Sequence, residues 1–512
     1  MNVYQREIHQ NLPRLLALFD FDRTAESYGL GDRFHWAWGL IDFANGTFQG
    51  AANGLARLVA YDLLPPGFDA ERMVGKIGAI FEGTQRIIRP NGSLEEAFPF
   101  EGSFCVTALG AYDLLTAIEQ LGDRIKDSKR VEYLEVVRPL IRFLHRSSET
   151  HAFISNHLAT AVAALVKWEE LSGQSGDARA KEILDQILQR QSSEGWYLEY
   201  DGADPGYQSL CTYYLADVHR LRPEWKLHES LKRSVEFLSY FVHPDGSFGG
   251  LYGSRNTRFF YPAGIEYLAE TVPAAGAIAR RMRESVAGQR VVTLSSIDEP
   301  NLMPMFNAYC WAATLEEPDS GLVLPIQTQP FRKSFSDSGL IVDRGSDHYT
   351  IVAGKKGGVV YHFENDRLAA LDAGVVVEGR DGLKGSSQAI QKDARITEEE
   401  SQLTIEADLL PILRRRAAPI PLLGLRVLSM TIMRWSLIRE WIKQLMAWLL
   451  ITRVGARMGT NRRCIQLGPK VAIKDETRCE AGFEVVADAE SFVAIHMASQ
   501  GYWQVQDEEA KV

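Results

Sequence analysis

The chain has 512 residues, which is more than one simple hydrophobic core accommodates, so we expect two or more domains. Its hydrophobic content of 46% and charged content of 24% are ordinary for a globular protein, and its net charge of -10 excludes a chain-wide nucleic-acid binder. The five cysteines form no Cys-x-x-Cys pair, which predicts reduced thiols and excludes a disulfide framework or a zinc finger.

A glycine followed by an aromatic or aliphatic residue recurs in turns of the first half of the chain. The glycines are Gly46, Gly92, Gly195 and Gly246, at steps of 46, 103 and 51 residues, and the longest step is about two periods. A period of about 50 residues fits a helical hairpin and its loop. Apolar residues at helical spacing in 108–121, 159–171, 178–191 and 231–241 support helix pairs.

We therefore predict an incomplete α/α toroid over residues 1–290, followed by a linker over 291–325. In such a ring the turn loops gather at one end, where a cleft forms. The polar amino terminus, with no long apolar run behind it, predicts a cytoplasmic chain.

Beyond the linker the pattern changes to short β-branched runs bounded by Gly or Asp, which predicts an antiparallel β-sandwich. The sandwich occupies 326–408 and resumes over 464–512. Its predicted strands cover 339–344, 349–353, 358–363, 374–378, 471–473, 483–486 and 492–496. The fold class is thus α+β and multidomain, a toroid followed by a sandwich.

The segment 409–463 interrupts the sandwich as a basic amphipathic helical insertion. It holds eleven Arg or Lys residues against one acid, Glu440, and its apolar residues recur every three or four positions. It lacks an uncharged run long enough to span a bilayer, so we expect it to lie in the interface of an anionic membrane. The predicted membrane-binding residues are Arg426, Arg434, Trp435, Arg439, Trp441, Lys443 and Trp448.

Two other interpretations of the insertion stay open. The helix could pack on the protein's own core with its arginines in solvent, or it could occupy the groove of a partner protein. On the membrane interpretation, the chain is peripheral on the inner face of the cell membrane.

Four groups of polar residues are candidates for chemistry. Asn156 and His157 open a predicted helix, Tyr213 and Tyr214 follow a turn, His362 lies on a strand, and a loop holds Arg255, Asn256 and Arg258. Each has an ordinary structural explanation. Asn is a frequent helix cap, tyrosines pack in cores, and single histidines are often fully bonded.

Together these residues resemble the heparinase II/III-like superfamily of polysaccharide lyases, which includes alginate lyases and uronyl C5-epimerases. The resemblance rests on Asn156-His157, on the segment 204–209 leading to Tyr213, and on Tyr361-His362 before Asp372-Ala373-Gly374. It departs at Tyr214, where the family has His, and at the second histidine of a His-x-His-x-Asp element, which is absent. The heparinase type of metal site is therefore in doubt.

The resemblance implies removal of the C5 proton of a uronate, followed by β-elimination or by C5 epimerisation. It implies that Asn156 stabilises the charge that develops on the carboxylate, that His157 or His362 acts as base, and that Tyr213 acts as the acid or as a combined acid and base. It implies an anionic glycan as substrate. The predicted substrate-binding residues are Trp196, Tyr207, Gln208, Tyr214, Arg255, Asn256 and Arg258. We predict no cofactor, and a divalent metal stays open.

Three alternatives compete with this interpretation. A non-catalytic carbohydrate-binding or scaffold protein of polysaccharide assembly would keep the fold without the second histidine. A glycoside hydrolase would need paired carboxylates, and Glu95, Glu96 and Glu101 show no spacing that singles out a pair. A terpene-type cyclase ranks last because the chain has no Asp-rich diphosphate-binding run.

Overall fold

A computed structural model describes residues 1–96, 99–150, 152–318, 321–380, 382–411, 419–435, 438, 441–442 and 456–489. Helices occupy the part before residue 320, and antiparallel strands occupy most of the rest. The helices are α1 (Val3–Leu16), α2 (Arg33–Trp36), α3 (Ala51–Ala60), α4 (Ala70–Ile87), α5 (Phe104–Leu121), α6 (Asp127–Arg146), α7 (Ser155–Ser172), α8 (Asp177–Gln189), α9 (Pro205–Leu221), α10 (His228–Leu238), α11 (Ala263–Leu268), α12 (Pro273–Ala287) and α13 (Glu299–Ala312).

The helices form two concentric layers. An inner ring runs through α3, α5, α7, α9, α11 and α13, and α13 packs back on α3. Each inner helix carries an outer helix from the set α4, α6, α8, α10, α12 and α1. Apolar residues of both layers make one continuous core, which confirms the predicted α/α toroid.

The toroid extends beyond its predicted end, because α13 lies in the segment expected to be a linker. The Asn307 side chain accepts from Gly54 N at 2.9 Å and donates to Gly50 O at 3.0 Å, which joins α13 to α3. The turn before α13 lacks the glycine followed by an aromatic or aliphatic residue that recurs in the other turns. The repeat pattern therefore did not predict α13.

The recurring glycines occupy turns that a side chain would not fit. Gly195 has φ of 104°, and a Cβ there would lie 2.2 Å from Arg233 O. Gly92 has φ of 90°, and its Cβ would lie 2.3 Å from Pro139 O. Both distances are far below a van der Waals contact, so these turns require glycine.

The strands are β1 (Phe331–Phe335), β2 (Leu340–Arg344), β3 (His348–Ala353), β4 (Val359–Glu364), β5 (Arg367–Asp372), β6 (Val375–Gly379), β7 (Lys384–Ser386), β8 (Arg395–Glu398), β9 (Gln402–Pro411), β10 (Gly459–Gln466), β11 (Ala472–Cys479) and β12 (Phe483–Asp488). A first sheet has the order β1-β2-β3-β4-β5, and a second has the order β11-β10-β9-β7-β6-β12 with β8 on β9. The predicted strand at 492–496 lies outside the described residues.

The first sheet is the middle layer of the molecule. One of its faces, with Val342, Tyr361 and Phe363, packs on toroid residues that include Phe237 and Tyr252. Its other face, with Ile341, Val352 and Val360, packs on Ile405 and Ile465 of the second sheet. The two packed sheets confirm the predicted β-sandwich.

The insertion contains α14 (Pro419–Met430) in its described part. The sandwich resumes at β10, inside the range predicted for the insertion. Arg463 of β10 is buried between the sheets, where it donates to Asp372 at 2.6 Å and to Asp475 at 2.7 Å. This arginine therefore belongs to the core of the sandwich and not to a basic surface.

Candidate active site

Asn156 and His157 lie in the first turn of α7, at the end of the ring that faces the first sheet. The segment before α9 holds them in place. Glu199 accepts from Asn156 N at 2.9 Å and from Asn156 Nδ2 at 2.9 Å, and Ser155 N donates to Leu198 O. Two contacts from one carboxyl fix both the backbone and the amide of Asn156.

His157 is part of a chain of polar side chains. Its Nδ1 lies 2.9 Å from Glu149 Oε2, and its ring also interacts with the Cys105 thiol at the start of α5. Burial alone lowers the pKa of His157, but the Cys105 and Glu149 contacts outweigh it and raise the pKa well above the ordinary value. The side chain is 16% exposed, so it keeps some contact with solvent.

Glu199 is fully buried behind Asn156. Burial raises the pKa of Glu199 to about 8, although the hydrogen bonds from Asn156 and the charge of His157 lower it. Glu199 is thus mostly protonated at neutral pH and adds no negative charge beside Asn156.

Tyr200 follows Glu199 in the chain and lies near the same group of residues. The Arg255 guanidinium lies 4.0 Å from the centre of its ring, and His157 and Glu149 are within electrostatic range. Burial raises the pKa of Tyr200 to about 12, while Arg255 lowers it. Tyr200 has φ of 59° and Asn256 has φ of 60°, and such left-handed residues concentrate at functional sites.

The structure does not bring Tyr213 to this group. Tyr213 lies in the middle of α9, fully buried inside the ring, with its hydroxyl 3.5 Å from Asn53 Nδ2. Tyr214 is equally buried, and its ring meets Tyr112 edge-on at 5.1 Å. Both tyrosines belong to the core of the toroid because α9 already begins at Pro205, two helical turns earlier.

His362 lies apart from Asn156 as well. Successive side chains of a strand point to opposite faces, and Tyr361 and Phe363 face the toroid. His362 therefore points toward the second sheet, and it contacts Thr350 of the neighbouring strand β3 at 2.8 Å and Pro469 O at 3.2 Å. The candidate base on this strand is separated from the cleft by the sheet itself.

Three predicted substrate-binding residues serve the packing of the protein instead. Gln208 donates to Ser234 of α10. Asn256 accepts from the buried Lys356 amine, and Arg258 donates to Tyr361 Oη at 2.9 Å. The last two contacts join the toroid to the first sheet.

Trp196 lines a cavity of about 230 Å³ between the toroid and the first sheet. The cavity adjoins Tyr200 through Asp201 and Gly202, and its wall includes Lys355 and Lys392. Tyr207, at the start of α9, is half-buried against Phe259 and lies within electrostatic range of Arg255.

Among the predicted membrane-binding residues, Arg426, Trp435 and Trp441 are exposed. Arg439, Lys443 and Trp448 lie outside the described residues, as does the side chain of Arg434. No helix within the described ranges has the length and apolar character needed to cross a bilayer.

The described part of the chain contains no cluster of three or more His, Cys, Asp or Glu side chains with the geometry for a metal ion. The rings of His348 and His362 lie with their centres 5.7 Å apart. Their nitrogens contact Asp343, Thr350, Glu364 and Pro469 O rather than converging on one point.

Sequence analysis did not identify Glu149, Cys105, Glu199 or Tyr200. The signal for Glu199 and Tyr200 was their place directly before the Asp201-Gly202 turn, at the loop end of the ring. Cys105 and Glu149 carried no motif: Glu149 lies in the loop before α7, and Cys105 reaches His157 only because α5 packs on α7.

Comparison with known proteins identifies the fold. No protein-family model matches the chain, and no curated protein matches its sequence. A chondroitin AC lyase of Streptomyces coelicolor A3, solved in complex with chondroitin sulphate, has 12% identity and a TM-score of 0.56. The match covers 95% of this chain and 68% of that chain. The chain has the toroid-and-sandwich fold of this lyase.

Two further solved structures are similar over less of the chain. A heparinase III has 11% identity and a TM-score of 0.46, over 80% of this chain and 61% of that one. The chain therefore spans about three fifths of the length of that lyase. A sugar epimerase from a ruminal bacterium has 13% identity and a TM-score of 0.44, over 60% of this chain and 97% of that one.

Proposed function

We propose that the protein modifies a uronate-containing glycan by removing the C5 proton of a uronate. The observation that carries this proposal is the group of Asn156, His157 and Tyr200 at the end of the toroid that faces the first sheet, where Glu199 holds Asn156 and Glu149 holds His157. The fold shared with a chondroitin lyase supports the same class of substrate.

The C5 proton is hard to remove because the intermediate concentrates negative charge on the carboxylate. In this proposal Asn156 donates to that carboxylate, and the hydrogen bond to Glu199 orients its amide in advance. Arg255 adds a positive charge beside Tyr200. A buried amide donor and a guanidinium stabilise an oxyanion far better than water does at the same place.

His157 is the proposed base. With a proton on Nδ1 it donates to Glu149, which fixes the ring and leaves Nε2 as the proton acceptor. Because the pKa of His157 is raised, the neutral base becomes abundant only above the ordinary histidine range. We therefore expect the rate to increase as the pH rises above neutrality.

Tyr200 is the proposed acid. Its pKa of about 12 keeps the hydroxyl protonated across that pH range, and Arg255 stabilises the phenolate after the proton has left. Protonation of the departing O4 completes β-elimination, whereas return of a proton to the opposite face of C5 gives epimerisation.

The cavity beside Trp196 extends the proposed cleft. Its aromatic wall suits a sugar face, and Lys355 and Lys392 suit an anionic group on a neighbouring sugar unit. The exposed part of the basic insertion supports a peripheral position on the inner face of the cell membrane, where the glycan would be attached to a lipid carrier.

The experiment incubates the purified protein with a panel of uronate-containing glycans in deuterated water at pH 7 and above. Ultraviolet absorbance reports the unsaturated product of a lyase, and NMR reports deuterium at C5. We expect one of the two signals, and we expect Asn156→Ala to reduce it by about 100-fold or more. If both signals are absent across the panel, the non-catalytic carbohydrate-binding interpretation replaces this proposal.

A further inference from the structure

Exposed apolar side chains concentrate in two short segments of the protein. Among the described residues, eighteen large hydrophobic side chains are exposed, and ten of them lie in segments 34–40 and 420–441. Single exposed apolar residues are normal, whereas a contiguous group marks an interaction site.

The first segment is a loop of the toroid with a fixed shape. Asp32 accepts from Phe34 N and Asn45 N, Trp36 Nε1 donates to Leu18 O at 2.9 Å, and His35 Nδ1 contacts Ile41 O at 2.9 Å. These bonds hold the backbone while the side chains of Phe34, Trp38 and Leu40 point outward. Trp38 is 65% exposed and Leu40 is 62% exposed.

The second segment is α14 with the residues after it. Ile420, Leu423 and Val427 are three and four positions apart, so they share one face of the helix, and all three are exposed. Trp435 follows at 67% exposure. This face is directed to solvent and not to the protein's own core.

The two segments meet. Arg426 of α14 donates to Leu40 O at 3.1 Å and pairs with Asp42 at 3.4 Å. The insertion leaves the sandwich after β9, yet this contact places α14 against the toroid loop. We define the docking surface as Phe34, Trp38, Leu40, Ile420, Leu423, Val427 and Trp435.

We propose that this docking surface binds an anionic lipid bilayer, and that the toroid loop contributes to binding together with the insertion. Between the end of β9 and the start of β10, residues 412–458 carry nine positive residues against one acid, in a chain whose net charge is -10. Exposed tryptophans beside arginines suit the interface of an anionic membrane. The loop precedes α3 at the end of the ring where Asn156 lies, so docking brings the cleft close to the lipid surface.

The test measures co-sedimentation of the full chain with vesicles of phosphatidylcholine, with and without phosphatidylglycerol. We expect binding to the anionic vesicles that weakens with added salt. We expect the pair Trp38→Ser and Leu40→Ser to weaken binding by about tenfold or more, as the pair Leu423→Ser and Val427→Ser does. The matched control replaces Tyr61 and Val131, which are also exposed but lie elsewhere, and it should bind like the parent chain.

Three results would overturn the proposal. One is failure of the parent chain to bind anionic vesicles. Another is loss of binding in the α14 pair but not in the loop pair. The third is a dimer, or a complex with a partner protein, that requires Trp38 and that anionic vesicles do not displace. The assay contains no glycan, so it is independent of the proposed chemistry, and equal melting temperatures of the variants show that each remains folded.

Discussion

At the scale of single residues, the axis of the toroid contains a polar layer that governs how stability depends on pH. Asp113 is buried there and accepts from Asn53 Nδ2 at 2.8 Å. Burial raises the pKa of Asp113 to about 8. The folded chain therefore keeps a proton that the unfolded chain releases near pH 4.

We predict that the free energy of unfolding falls as the pH rises from about 4 to 8, because only the unfolded chain can ionise this carboxyl freely in that range. One such group contributes up to about 1.4 kcal/mol per pH unit. Asp113→Asn removes this contribution, so its stability relative to the parent chain should improve by about 2 kcal/mol or more between pH 5 and 8. Denaturant unfolding at several pH values measures it.

The surface variant Asp123→Asn is the control for this prediction, since Asp123 is exposed. If the free energies of unfolding of Asp113→Asn and of the parent chain changed in parallel with pH, Asp113 would be ionised in the folded protein.

The position of a single residue is predictable from sequence where the local pattern determines the environment of its side chain. The Asn156-His157 pair followed a turn and preceded helical spacing, so its place at the loop end of α7 was predictable. The place of Tyr213 was not predictable. Its distance from the start of α9 decides whether its side chain reaches the cleft or the core. That start is fixed by Asp204, whose side chain caps Tyr207 N at 3.1 Å.

At the scale of elements, strand β4 shows why a candidate residue can be assigned to the wrong face. Val359 to Phe363 are all buried, because one face meets the toroid and the other meets the second sheet. A strand buried on both faces has no polar alternation to mark its orientation. The sequence therefore predicted the strand but not that Tyr361, rather than His362, faces the toroid.

Lys356 joins the toroid to the first sheet at the end of β3. It is buried and donates to Leu251 O at 2.5 Å, to Gly253 O at 2.6 Å and to Asn256 Oδ1. Burial lowers the pKa of Lys356 to about 7, while Asp204 opposes this shift. These bonds hold the loop that carries Arg255 to Tyr200.

We predict that Lys356→Met lowers the free energy of unfolding by about 2–4 kcal/mol, because three buried acceptors lose their donor. The neighbouring variant Lys355→Met should cost less than about 1 kcal/mol, since Lys355 is only half-buried and donates to a single carbonyl, Asp337 O. Denaturant unfolding compares the two. Equal losses of unfolding free energy would mean that the contact between the toroid and the first sheet does not depend on the buried Lys356 amine.

At the scale of the whole molecule, the position of the cleft follows from three layers, which are the toroid, the first sheet and the second sheet. The inner helices of the toroid begin at the end that the first sheet covers. The second sheet packs on the other face of the first sheet. The repeat of glycine turns predicted the toroid, and the change to β-branched runs predicted the sandwich. That α13 belongs to the ring was not predictable from the repeat, because the turn before α13 lacks the Gly-aromatic pattern and the helix contains Pro304.

The central claim is that the proton is removed at the start of α7 and not at the sheet. The most direct test measures the initial rate of C5 deuterium exchange or of unsaturated product for paired variants on one active glycan. We predict that His157→Gln and Tyr200→Phe lower the rate by about 100-fold or more. His362→Asn and Tyr213→Phe should retain it within about tenfold, since both residues lie away from the cleft. The opposite result, with the rate lost in His362→Asn and kept in His157→Gln, would contradict the account.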